Sequence, residues 1–145
     1  MKIKVPYFKQ QNDYFCGPAV LQMIFSFFGQ MIDQKTLAQK IGTTIEHGTH
    51  KEKMIKISRE FGYDVWYQEK AKIEDLKNNI DLGLPVIINN LDTKYDEGHY
   101  AVVVGYDDKN IIVNDPEYGL EREVPIPLFL KEWEGRENWA LVIKK

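Results

Sequence analysis

The densest apolar run in the chain lies between Ala19 and Phe28. Ala19, Val20, Leu21, Met23, Ile24, Phe25, Phe27 and Phe28 surround nearly the whole circumference of a helix. A helix apolar on all sides is a central, buried one. Gly17-Pro18 opens it, because a proline in a first turn gives up an N–H that would have no intrahelical partner. Gly29 is its natural stop. Residues 1–12 ahead of it read as an extended arm. Asp33 is an N-cap for a second helix over 34–41, ended by Gly42. A third helix is predicted from about His50 to Phe61, with Met54, Ile55, Ile57 and Phe61 as its apolar stripe and Gly62 as its stop. Residues 63–68 suggest a short strand. Ile73, Leu76, Lys77 and Ile80 are spaced for one face of a helix over 73–80.

From Pro85 the period changes. Val86-Ile87-Ile88 is a buried strand. His99 to Tyr106 and Asn110 to Val113 are two more, separated by Asp107-Asp108-Lys109, which signals a hairpin. Trp139 to Ile143 is a last strand. Helices come mostly first and strands second, so the fold class is α+β: a helical N-terminal half packed on a mostly antiparallel sheet. A binding cleft is expected where the two parts meet.

Composition narrows the function classes. The 145 residues, 43% hydrophobic and 12% aromatic, suit a single packed domain over 1–145. Nineteen Lys and Arg against 22 Asp and Glu leave a net charge of −3, with no basic block, so no nucleic-acid partner is expected. The run 19–28 is broken by Gln22 and Ser26 and is short of the roughly 18 apolar residues of a membrane span. Met1-Lys2-Ile3-Lys4-Val5-Pro6 lacks an apolar core, so no secretory signal is expected. Cys16 is the only cysteine. It excludes an intramolecular disulfide and a Cys-rich zinc site, and it is compatible with a reducing, cytoplasmic setting.

That single thiol sits at the start of the buried helix. Backbone N–H groups there have no partner and the helix dipole is positive, which favours the nucleophilic thiolate. The alternative is a small apolar side chain packed beneath the helix start. His99 begins an apolar strand and Asp115 ends the next. If the hairpin is centred near Asp107, the two fall almost opposite each other and form a base with an orienting partner. Asn114 points to the other face by strand alternation, which makes Asp115 the better candidate. A Gln10 amide, six residues before Cys16, is placed to donate to an oxyanion, and Gln11 has the same chemistry.

Gln10, then Cys16-Gly17-Pro18-Ala19, then a helix ending Phe-Phe-Gly resembles the N-terminal signature of the C39 and C39-like papain-like cysteine peptidases. The stretches from Gly98-His99-Tyr100 through Gly105-Tyr106, and Val113-Asn114-Asp115-Pro116, resemble that family's His and Asp motifs. Val5-Pro6-Tyr7 is similar to the opening of its C39-like group. The resemblance spans essentially the whole chain. It implies a papain-like fold, with Cys16 as nucleophile, His99 as general base and acid, and Asp115 as imidazole orienter. It also implies Gln10 and the Cys16 backbone N–H as oxyanion donors, a peptide or protein substrate cut after small residues, and no cofactor. Phe15 departs from the acidic residue that usually precedes the cysteine in transporter-linked members. The same thioester chemistry serves a deamidase or transglutaminase, and the same fold serves a non-catalytic peptide-binding domain.

Remaining candidates have simpler explanations. His47 and His50 lack a matching third metal ligand and suit exposed positions at a loop-to-helix junction. Gly48-Thr49 is placed to line a substrate groove. Asp92, Asp96 and Glu97 depart from a calcium-loop pattern and suit a solvated loop. Trp66, Trp133 and Trp139 suit core or edge positions.

Overall fold

The computed structural model describes residues 1–92 and 97–145, with the side chains of all of these except Asp92 and Glu97. The side chains of the acidic cluster Asp92, Asp96 and Glu97 therefore lie outside what the structure describes. In chain order the elements are α1 (Cys16–Phe27), α2 (Gln34–Ile41), α3 (Lys51–Glu60), β1 (Asp64–Gln68), α4 (Ile73–Asp81), β2 (Val86–Asp92), β3 (Glu97–Tyr106), β4 (Asn110–Asp115), β5 (Gly119–Pro125), α5 (Ile126–Glu134) and β6 (Ala140–Lys144). The six strands form one sheet in the order β1-β6-β2-β3-β4-β5, and every neighbouring pair is antiparallel.

The sheet is covered on both faces, which is why its central strands read as continuous apolar runs. Val20, Leu21, Ile24 and Phe25 of α1 and Met54 of α3 pack with Val102, Val104, Leu141 and Ile143. On the other side Leu76 and Ile80 of α4 and Phe129 and Trp133 of α5 pack with Val86, Ile88, Ala101, Val103, Ile111 and Val113. Neighbours along β3 thus alternate between two cores. Ala19, Val20, Leu21, Met23 and Phe25 are fully buried, so α1 is the central helix its pattern predicts. Asp33 caps α2, its carboxylate accepting from the Thr36 N–H at 2.7 Å.

Two elements have no counterpart in the pattern-based prediction. The strand β5 carries Leu120-Glu121-Arg122-Glu123-Val124, and it pairs with β4 along an edge of the sheet. An edge strand with one wet face needs few apolar residues, so its charges mask it. The helix α5 begins Ile126-Pro127, with proline in its first turn, where that residue fits instead of breaking.

The β3–β4 register also corrects an expectation. Val102 faces Asn114, and a bulge lies between Val103 and Gly105. Continuing that register places Asp115 across from Ala101, two residues from His99 instead of opposite it. An offset of two keeps both side chains on the same face. Diagonal neighbours remain within reach of each other.

The N-terminal arm adds one more constraint. Ile3 N–H donates to the Val104 carbonyl at 2.7 Å, and Tyr106 N–H donates to the Met1 carbonyl at 2.9 Å. A Cβ on Gly105 would lie 2.6 Å from the Met1 carbonyl oxygen, so only glycine lets the arm cross β3 there. Further along, Gln10 N–H donates to the Pro116 carbonyl at 2.8 Å. The arm thereby carries Gln10 to the end of β4 where Asp115 sits.

Candidate active site

Cys16 is the first residue of α1, and Phe15 at its N-cap supplies no side-chain hydrogen bond. The helix start keeps its free N–H groups and positive end beside the sulfur. Because the next residues are buried, the thiol rides on a fixed element; Cys16 itself is half-buried. Gly17 is required by packing. A Cβ there would overlap the side chain of Thr49. Thr49 is itself fastened: its hydroxyl shares a 2.8 Å hydrogen bond with that of Thr43, and its carbonyl accepts from the Tyr100 hydroxyl at 2.9 Å. Residues 17, 49 and 100 thus tie the 45–49 loop to α1 and β3.

His99 is 7% exposed. Its Nε2 lies 2.8 Å from Asp115 Oδ1, and its ring also stands beside the Cys16 side chain. Asp115 is 5% exposed and strongly held. Oδ1 also accepts the Glu117 N–H at 2.9 Å and the Tyr118 N–H at 3.1 Å. Arg122 Nη1 approaches Oδ2 to 3.6 Å, and its guanidinium lies over the Tyr118 ring, 5.3 Å from the centroid. Asn114 turns the other way, donating to the Val5 carbonyl at 3.3 Å and accepting from Glu121 N–H at 3.0 Å.

The electrostatics follow from this geometry. Burial works against a charged imidazole at His99. The Asp115 hydrogen bond, the Cys16 side chain and the charges of both partners outweigh it and push His99 up to about 10. Burial likewise opposes the Asp115 carboxylate, but His99 and the two turn N–H groups hold it below its ordinary value. The site therefore stores an imidazolium between two acceptors at neutral pH. A direct consequence concerns the Cys16→Ala protein. Two of the upward causes vanish, so the His99 ring should titrate, by NMR, above 6.5 yet below its wild-type midpoint. In Cys16→Ala/Asp115→Ala, burial alone remains and the midpoint should drop below 6.5. A midpoint unmoved by either change would dissociate His99 from both partners.

Gln10 is also brought to this region, but its Nε2 donates to the Asn12 carbonyl at 2.9 Å, while its Oε1 is buried without a partner. One Nε2 hydrogen remains for an incoming oxygen. Gln11 N–H, in contrast, is bonded to Gln34 Oε1 at 3.0 Å, and Gln11 is exposed.

Cys16 and His99 open into a cleft of about 720 Å³, walled also by Tyr14, His47, Gly48, Thr49, Asn89, Gly98 and Arg136. Gly48 and Thr49 line it as their loop position suggested. His47 and His50 are both exposed, with ring centroids 6.1 Å apart. Among the described residues no group of three or more His, Cys, Asp or Glu is placed to hold a metal ion. Trp66 lies half-exposed on β1, whereas Trp133 and Trp139 are core. Sequence reasoning missed Arg122 and Arg136, because β5 and α5 position them.

A cysteine at the head of a central helix, facing a histidine and an aspartate on an antiparallel sheet, defines the papain-like cysteine peptidase fold, and this is that fold. Residues 2–141 match the model of the Peptidase_C39 like family, and the chain belongs to that family. A C39-like peptidase from Bacillus anthracis superposes with a TM-score of 0.83 at 20% identity, covering 100% of this chain and 98% of that one. The peptidase domain of Streptococcus ComA, a bifunctional ABC transporter of a quorum-sensing pathway, gives 0.81 at 25% identity, covering 97% of both chains. In sequence, the transport/processing ATP-binding protein ComA of Streptococcus pneumoniae is 30% identical over 141 residues, 93% of this chain but 18% of ComA. The chain thus spans under a fifth of that relative. An uncharacterized protein of Methanothermobacter marburgensis is 30% identical over 138 residues, 94% of this chain and 87% of that protein. Among the described residues no helix is long and apolar enough to cross a membrane.

Proposed function

We propose that this domain is a cysteine peptidase that hydrolyses a peptide bond through Cys16, His99 and Asp115. The observation that carries this reading is the unbroken run of contacts from the Cys16 thiol through the buried His99 ring to Asp115, opening on a cleft. The Cys16 thiolate attacks the scissile carbonyl carbon. The carbonyl oxygen becomes an oxyanion held by the Cys16 backbone N–H and the second Nε2 hydrogen of Gln10. The C–N bond breaks as the His99 imidazolium gives its proton to the leaving amine, and a thioester on Cys16 remains. His99, now neutral, takes a proton from water as the water oxygen attacks the thioester. The carboxylic product leaves and the thiolate–imidazolium pair is restored. Asp115 holds the ring in place and balances its charge throughout. None of these steps calls for a metal or cofactor.

The substrate is a peptide or protein segment with small residues before the scissile bond. This rests on family likeness: one structural neighbour, at TM-score 0.78 and 22% identity, is a double glycine motif protease in complex with a leader peptide. The single half-buried thiol suits a reducing compartment such as the cytoplasm. The test is a peptide library incubated with the protein and read by mass spectrometry, with Cys16→Ala as control. New N-termini that depend on Cys16 are the expected result. Released ammonia or an isopeptide bond would instead make the enzyme a deamidase or a transglutaminase. No Cys16-dependent product would leave a peptide-binding domain.

A further inference from the structure

We infer that Arg136 and Asn89 form a carboxylate-recognising subsite in the cleft, so that the preferred peptide carries an acidic group close to its scissile bond. This rests on the peptidase reading above.

Arg136 follows α5 and reaches back over β3. A Cβ at Gly98 would lie 2.8 Å from Arg136 Nη2 and 2.8 Å from Asn89 Oδ1. Both groups therefore stand over the residue next to His99, and the glycine there makes room for them. Arg136 is half-buried, lines the cleft, and among the described residues has no side-chain hydrogen bond or ion pair. A guanidinium has five donors in a fixed fork and is always charged. Its charge is felt nearby: Lys51 is pushed down first by burial and then by Arg136, against upward pulls from Glu69, Glu137 and Glu52. These carboxylates gather around Lys51 without bonding Arg136.

Asn89 is the second, independent observation. It is 2% exposed, and its Oδ1 is buried with no partner. Its side chain lies beside the Tyr100 hydroxyl. A buried acceptor without a donor is costly, and each such group calls for a reason. Here the missing partner is supplied by a peptide N–H in the cleft while the carboxylate of the same peptide meets the fork of Arg136. Such charge-assisted, bidentate pairs are among the strongest polar contacts and gain from partial burial.

The carboxylate is that of an Asp or Glu side chain or of the peptide's own C-terminus. A randomised synthetic peptide library made in C-terminal acid and C-terminal amide forms separates the two. With the wild-type protein, peptides bearing Asp or Glu at one fixed position within about four residues of the cut, the reach of an extended chain from His99 past Gly98, should be cleaved about tenfold to a hundredfold faster than their Asn or Gln counterparts. Cleavage confined to the acid form would assign the carboxylate to the chain end. Arg136→Gln should erase the acid preference, and Arg136→Lys, which keeps charge but loses the fork, should retain part of it. The wild-type preference should also shrink as salt is raised, a readout that needs no variant. In parallel, immobilised Cys16→Ala and Cys16→Ala/Arg136→Gln proteins capture uncleaved peptides from the same libraries. Arg136-dependent capture of acidic peptides without any wild-type cleavage would keep the subsite and remove the peptidase reading. An absence of acid preference in both cleavage and capture, or a preference unchanged in Arg136→Gln, would overturn the subsite.

Discussion

Replacing Asp115 by Asn should slow turnover by about 10²–10⁴ while Cys16→Ala, which removes the attacking atom, should lower it by on the order of 10⁶, to background. The difference follows from what each group does. In the proposed mechanism Cys16 forms the thioester, and no neighbour can substitute: it is the only thiol in the chain. Asp115 acts in that mechanism through His99. An Asn at 115 can still accept the Glu117 and Tyr118 N–H groups that now bond Oδ1, so the turn after β4 should persist and the variant should fold. It loses the negative charge that helps hold His99 as imidazolium. Fewer molecules then carry a proton for the leaving amine and a thiolate to attack. The pH profile of kcat/KM should narrow accordingly, its alkaline limb moving to lower pH as the His99 pKa falls. Kinetics of both variants on any peptide cut by the wild-type protein test this. Equal and complete loss in two folded variants would give Asp115 a structural role or a more direct chemical one.

Much of this site could be read from residue order because its parts lie on the most strongly patterned elements. The all-round apolar run of α1 announced a central helix with Cys16 at its head. The hairpin signal at 107–109 brought β3 and β4 together, and alternation chose Asp115 over Asn114. Counting from an assumed hairpin centre at Asp107 failed by two residues, because the turn closes between Asp107 and Asn110, which centres the ladder later in the chain, and the bulge after Val103 takes back only one residue of that shift. A slip of one would have put Asp115 on the wrong face; a slip of two did not. What stayed illegible came from weakly patterned elements. The charged edge strand β5 hid Arg122, and the proline-flanked α5 hid Arg136. Gln10 marks another limit: its position near the end of β4 follows from the arm, whereas the hydrogen bond of its amide to Asn12 is a local choice no pattern announces.

Iodoacetamide at pH 6 should label Cys16 in the folded protein on the order of tenfold to a hundredfold faster than it labels a short Cys-containing peptide. An unperturbed thiol, with a pKa of about 8.5, is well under about 1% thiolate at pH 6. In this fold the sulfur stands beside His99, whose ring is pushed up to about 10 and so is protonated at that pH. A positively charged ring and the positive end of α1 both stand beside the sulfur that iodoacetamide must reach. Access is open, since Cys16 is half-buried and lines the cleft. With one cysteine in the chain, every alkylated molecule reports on it. His99→Ala removes the imidazolium but leaves the helix start, so it should abolish most of the advantage and keep a residue of it. Asp115→Asn should fall between the two, because it weakens the charge on a ring that is still present. Mass spectrometry of the intact protein over time gives all the rates without any knowledge of a substrate. Labelling no faster than the peptide, or indifferent to His99→Ala, would mean that the contact seen between sulfur and ring does not activate the thiol, and the peptide-binding alternative would then account for the fold better than the peptidase.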